Sequence, residues 1–210
     1  MQQPPAVRRI GDPTIKEEAE FLLDKGECIV FPTDTVYGIA SRADNRAAVA
    51  KLQQIKGRSD AFPPPILVGD ADAAWALFTN VPESARRLGE AYWPGGLTLI
   101  LATGQHLSLS EQVGTIGVRV PAHDEVRALL RMTGPLAVSS ANKHSSLPAT
   151  TVEEAIAQLG DEVGLYIDGG PTPGLTPSTV VDCTTEPVTI VRLGLLTSDQ
   201  IYSIAGGGDA

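Results

Sequence analysis

Six short segments of this 210-residue chain carry residue types able to bind or activate a ligand, and each lies at the margin of an apolar or helical run. FPTDTVYG (31–38) places Thr33, Asp34 and Thr35 directly after the apolar run ECIVF (27–31). Strand ends of α/β sheets are where ligands bind, although a proline-initiated turn accounts for these residues equally well. KGR (56–58) sets Lys56 and Arg58 two residues apart at the end of a helical pattern. Such cations offset the negative helix terminus, or they form a clamp, with a guanidinium fork for carboxylate or phosphate and an ammonium beside it.

TIGVR (115–119) leaves Thr115 and Arg119 on one face of a strand. An arginine in an apolar strand is costly to bury unpaired, so Arg119 should meet an anion, from the protein or from a ligand. SSAN (139–142) puts hydroxyls and an amide after another apolar run, which would also suit an ordinary Asx or Ser turn. PSTVVD (177–182) offers Ser178 and Thr179 at a strand start, and VRLG (191–194) offers Arg192 at a strand end. Four cations (Lys56, Arg58, Arg119 and Arg192) and several hydroxyls suit a small substrate that carries both phosphate and carboxylate.

Other chemistries lack their signatures. The chain has no GxxxxGK[ST] phosphate loop, no GxGxxG, no HExxH, no paired CxxC and no GxSxG elbow. His106, His123 and His144 fall in loop or helix-start contexts, which favour surface roles. Cys28 and Cys183 lie in apolar strand-like runs with no close spacing and read as buried, reduced thiols.

The elements that must position these residues alternate along the chain. Helical periodicity predicts a helix capped by Asp12 with Pro13 at its first position, ending at Gly26, and a second from Asn45 to Gly57. Further helices fit 70–78, 82–92, 122–132 and 151–159. Strands are read at 27–31, 65–69, 97–102, 115–120, 135–139, 164–168, 178–182 and 188–193. Because these runs are apolar on both faces, a central sheet covered by helices is favoured over a one-sided meander. There is no repeat and no low-complexity linker, so a single three-layer domain is the economical reading. The last residues, AGGGDA, read as a frayed tail.

Composition fits that reading: 42% hydrophobic and 20% charged residues, with mean hydropathy +0.03, exclude a disordered or fibrous chain. The net charge of −9 argues against a broad basic face for polyanions. It is unevenly spread: residues 1–143 hold sixteen acids and fifteen bases, whereas residues 144–210 hold nine acids and one base, Arg192. The start MQQPPAVRRIGDP lacks the apolar run of a signal peptide, and no stretch approaches the roughly 18 to 20 apolar residues of a spanning helix. A cytoplasmic protein without a membrane association is expected.

In order along the chain, FPTDTVYG, KGR, WPGGLTLIL, VGTIGVRVPAH, PLAVSSAN, STVVD and VRLG resemble the YrdC family of threonylcarbamoyl-AMP synthases, over about residues 14–200. The chain looks like the short, single-domain form, with an N-terminal extension at 1–13, a YrdC-like domain at 14–200 and a C-terminal tail at 201–210. The resemblance implies an α/β (α+β mixed) fold, a twisted mixed sheet of about seven strands flanked by helices, with a concave substrate cleft. It implies a nucleotidyltransferase that joins L-threonine, bicarbonate and ATP into threonylcarbamoyl-adenylate and releases pyrophosphate. Mg²⁺ is expected on the nucleotide, with no dedicated metal cage, and a downstream transferase complex would carry the group to tRNA.

The family's tetrad of KxR and SxN falls on Lys56, Arg58, Ser140 and Asn142, with Lys56 and Arg58 as the catalytic pair and Lys56 neutralising charge where the substrates meet. By the same resemblance Thr35, Arg119, Val138 (through its backbone) and Ser178 take the threonine side. Arg58, Thr115, Ser140, Asn142 and Arg192 take the ATP side. Two segments depart from the family pattern: SDAFPPP (59–65), which has Phe62 where a polar contact is usual, and KHSSLP (143–148) after SSAN. The first keeps open a YciO-like paralogue with another carbamoyl-adenylate substrate. An RNA-binding module is a weaker alternative, since RNA affinity grows with the number of phosphate contacts and this chain has no basic stripe.

Overall fold

The computed structural model describes residues 5–57, 63–103, 114–174 and 176–206. Its strands are β1 (Val7–Arg9), β2 (Ile29–Phe31), β3 (Gly38–Arg42), β4 (Ile66–Leu67), β5 (Leu97–Ala102), β6 (Thr115–Arg119), β7 (Leu136–Ser140), β8 (Leu165–Asp168), β9 (Thr179–Asp182) and β10 (Thr189–Arg192). The helices are α1 (Ile15–Asp24), α2 (Arg46–Ile55), α3 (Ala71–Trp75), α4 (Glu83–Tyr92), α5 (Asp124–Thr133), α6 (Val152–Leu159) and α7 (Ser198–Ala205). All ten strands form one mixed sheet in the order β1-β8-β2-β3-β7-β4-β6-β5-β9-β10. The sheet therefore has ten strands where about seven were expected. The two not read from the sequence are β1, a three-residue edge strand that pairs with β8, and β3, which pairs antiparallel with both β2 and β7.

Alternation along each strand assigns the faces. On one face, Phe31, Ala40, Leu67, Leu136 and Val138 pack with Ile15, Ala19 and Leu23 of α1 and Val126, Leu129 and Leu130 of α5. On the opposite face, Val30 and Ile39 join residues of α2 and α6. On that same opposite face Leu97, Leu99, Val118 and Val181 join residues of α4 and α7. Helices α1 and α5 cover only the β8-to-β4 part of their face, so the β4-β6-β5-β9 part is left open on that side.

Local chemistry sets the helix ends. Asn45 caps α2 by accepting from the Ala48 amide at 3.1 Å, and Gly57, with φ 67°, turns the chain out of the helix. Asp12 does not cap α1: the N-cap is Thr14, whose amide and hydroxyl both donate to the Asp12 carboxylate. Residues 201–205, read from sequence as tail, belong to α7, where Ile201 is fully buried. Thr197 and Gln200 close a capping box at its start, and Tyr92 of α4 donates to the Gln200 carbonyl. Among the described residues no helix is long and apolar enough to cross a membrane.

Candidate active site

The open part of the sheet face is a cleft of about 280 Å³. Its position follows from strand order. Strand β3 runs back beside β2 with Phe31 opposite Gly38, so FPTDTVYG becomes a tight hairpin, and Gly38 also faces Ser140 of β7. The Tyr37 carbonyl accepts from the Ala141 amide and the Tyr37 amide donates to Ala149, which pins the hairpin to the SSAN loop. Across the cleft, Leu67 of β4 lies beside Arg119 of β6, and Thr98 of β5 pairs with Val180 of β9. Thr35, Arg119, Val138, Ser140, Ser178 and Arg192 all line this one space.

Arg119 meets its anion within the protein. Its Nη2 donates to Asp34 Oδ1 at 2.6 Å, Nε donates to the Gly95 carbonyl at 3.0 Å, and Nη1 donates to Thr35 Oγ at 3.3 Å. The ion pair is largely shielded, with side chains 8% and 13% exposed, which keeps the guanidinium in one orientation.

Arg192 forms the other pole. Its Nε and Nη2 donate to the Ser178 carbonyl at 3.2 and 3.0 Å, and Nη2 also donates to Ser178 Oγ at 3.1 Å. Ser178 Oγ in turn lies 2.9 Å from Thr98 Oγ. Among the described residues no carboxylate is within 4 Å of Arg192. Partial burial and the positive charge of Arg119 both hold the Arg192 guanidinium below its usual pKa, and an anion placed between the two arginines relieves that repulsion. Gly194 makes this corner possible: a Cβ there would lie 2.1 Å from the Pro177 carbonyl oxygen.

Lys56 caps the C-terminal end of α2 and is 4% exposed. Its ammonium donates to the carbonyls of Ser140 and Asn142 and approaches Asn142 Oδ1 at 3.4 Å. The Lys56 carbonyl accepts from the His144 amide, and Asn142 Nδ2 donates to the carbonyls of Lys143 and Ser146. Lys56, Ser140 and Asn142 of the tetrad are thus one hydrogen-bonded unit, with Ser140 on the cleft wall and the other two joined to it. Lys56 thus ends the helix and turns its ammonium to the loop after β7, while Arg58, the other half of the expected clamp, lies outside the described residues.

The remaining candidates divide. Arg58 and Phe62 lie outside the described residues, as does His106. Thr115 sits at the exposed start of β6 and is not part of the cleft lining. His123 stands at the N-cap position of α5 without a side-chain capping bond and has Nδ1 3.3 Å from Glu125, while His144 lies on the exposed loop after SSAN. Among the described residues no group of three or more His, Cys, Asp or Glu is placed to hold a metal ion. The sequence reading missed Thr98, which is 4% exposed and lines the cleft; a lone hydroxyl within LTLILA was its signal.

A family model described as "Telomere recombination" (Sua5_yciO_yrdC) matches residues 21–194. A Mycobacterium tuberculosis (strain H37Rv) protein, named provisionally as a threonylcarbamoyl-AMP synthase, is 39% identical over 183 residues, covering 86% of this chain and 84% of that one. The threonylcarbamoyl-AMP synthase of Bacillus subtilis is 36% identical over 201 residues, 93% of this chain and 58% of that protein. Among solved structures, P. abyssi Sua5 complexed with L-threonine matches with TM-score 0.87 at 29% identity, over 98% of this chain and 61% of that chain. E. coli YciO matches with TM-score 0.81 at 26% identity, over 96% and 100%. The shared sheet and the span of the match lead to one conclusion: the chain belongs to the Sua5/YciO/YrdC family.

Proposed function

We propose that the protein is an L-threonylcarbamoyladenylate synthase, a nucleotidyltransferase that uses L-threonine, bicarbonate and ATP. One observation carries this reading: two guanidinium groups and several hydroxyls from distant segments line a single cleft, and one of the guanidinium groups has no carboxylate beside it among the described residues. A cleft of that size, with few convergent polar groups, suits small molecules. The names of the Bacillus and Mycobacterium relatives and the threonine complex of P. abyssi Sua5 support the same reading.

The chemistry asks the protein for position and charge, and no protein nucleophile is needed. Threonine's amine forms a bond to the carbon of bicarbonate, whose hydroxyl leaves as water with an amine proton. A carbamate oxygen then attacks the α-phosphorus of ATP, and the bond to pyrophosphate breaks. Thr35, Arg119, the Val138 backbone and Ser178 would hold the amino acid. Arg192, Ser140, Asn142, Thr115 and Arg58 would hold the nucleotide, which brings Mg²⁺ with it as part of the substrate. Lys56, its N–H groups turned to the Ser140–Asn142 loop, would act through its charge and through the placing of Ser140. The product would pass to a transferase acting on tRNA in the cytoplasm.

The test is pyrophosphate release from ATP and bicarbonate with each amino acid in turn. Release that requires threonine supports the proposal. Release that requires a different amino acid transfers the activity to a paralogous substrate, and release that ignores amino acids sinks it.

A further inference from the structure

The hydroxyl of Thr35 has its hydrogen bonds settled by a neighbour that does not itself bind substrate in the scheme above. Thr33 Oγ donates to the Val36 carbonyl at 2.7 Å, which uses its one proton. Its 3.0 Å contact with Thr35 Oγ must therefore run the other way, with Thr35 donating. Arg119 Nη1 donates to the same Thr35 oxygen at 3.3 Å. The proton of Thr35 is thus committed and one lone pair is occupied, so Thr35 can offer the cleft only an acceptor. Thr33 is itself 5% exposed and also accepts from the Thr35 amide at 3.2 Å, which fixes its own position.

The neighbouring guanidinium completes the pattern. Of the five N–H groups of Arg119, one each goes to Gly95, Asp34 and Thr35. One N–H on each terminal nitrogen is left, the number a carboxylate takes from an arginine fork. An amino acid held there by its carboxylate brings its α-amine beside Thr35.

We infer that Thr33 is a positioning residue for amine activation: it fixes Thr35 as an acceptor of an amine N–H, which leaves the nitrogen lone pair free to attack the carbon of bicarbonate. A Thr35 hydroxyl free to donate would hydrogen-bond that lone pair and block N–C bond formation. The inference rests on the threonine-dependent reaction proposed above.

Steady-state kinetics on purified variants tests it. Thr33→Val removes the acceptor that holds the Thr35 proton, and should lower kcat at least tenfold while the KM values for threonine and ATP stay within threefold. Thr33→Ser keeps the hydroxyl and should keep kcat within threefold. The double variant Thr33→Val/Thr35→Ala removes the misdirected hydroxyl and should turn over faster than Thr33→Val alone, which a merely structural role for Thr33 would not produce. A double variant no faster than Thr33→Val, or unaltered kcat in Thr33→Val, overturns the inference. If Thr33→Val does not fold, Thr33→Ala decides by the same readings: a kcat lowered at least tenfold with both KM values within threefold supports the inference, and an unaltered kcat overturns it. Wild-type protein without threonine-dependent pyrophosphate release removes the proposed function and the inference together, whereas failure of the variants alone removes only the inference.

Discussion

At the scale of single residues, the cleft separates two arginines that the sequence could only group as cations. Arg119 is paired to Asp34, while Arg192 is held by the Ser178 carbonyl and hydroxyl. A hydrogen bond to a charged group is worth about 1.5–3 kcal/mol, so Arg192→Ala should raise the KM for ATP roughly 10- to 100-fold with little change in thermal midpoint. Initial-rate kinetics over a range of ATP concentrations checks this. The two thiols make an independent case. Burial pushes Cys28 and Cys183 up to about 12, so Ellman's reagent at pH 8 should find no reactive thiol until denaturant is added, and two afterwards. Because the folded value lies above the unfolded one, the folded state keeps its protons longer. The stability linked to the two thiols is full below about pH 9 and falls as the pH rises toward 12. Residue types at margins of apolar runs were enough to find most of the cleft, including Thr35, Arg119, Ser140, Ser178 and Arg192. Proton direction at Thr33 and the partner of Arg119 were not legible, since both depend on a hairpin whose return strand has hardly any sequence signal.

At the scale of elements, the site depends on turns that leave no room for change. Gly194→Val would drive a side chain into the Pro177 carbonyl and Ser178, displacing the segment on which Arg192 rests. It should weaken the use of both ATP and threonine, since Ser178 and Arg192 are displaced together, while Leu195→Ala, at a half-exposed neighbour, should leave both near wild type. Asn45→Ala removes the cap of α2 and should cost about 1 kcal/mol of stability, read as a lowered urea midpoint with an unchanged slope. Longer apolar runs such as LTLILA announced their strands correctly, and β5 matches its predicted range residue for residue. Strand β3 escaped because only Ile39 and Ala40 in it are apolar, and its burial comes from lying between β2 and β7. Helix α7 escaped because it follows an exposed strand, although the Thr197–Gln200 pair is a recognisable start signal.

At the scale of the whole molecule, one sheet face is covered by helices along part of its width, and the uncovered part is the cleft. The net charge of −9 coexists with this small cationic space because a cleft needs only a few positive groups, whereas RNA affinity needs many phosphate contacts. Gel-shift assays with tRNA at moderate salt should therefore show no stable complex. The uneven charge is informative here: Arg192 is the one base among the last 67 residues, and the fold brings it from that acidic stretch to face Arg119 across the cleft. If three small substrates are joined in the cleft, an isotope label follows the carbon that links them. With ATP, threonine and carbon-13 bicarbonate, mass spectrometry should find an adenylate that carries threonine and one labelled carbon. An adenylate of threonine without the label, or AMP alone, would contradict the proposed reaction.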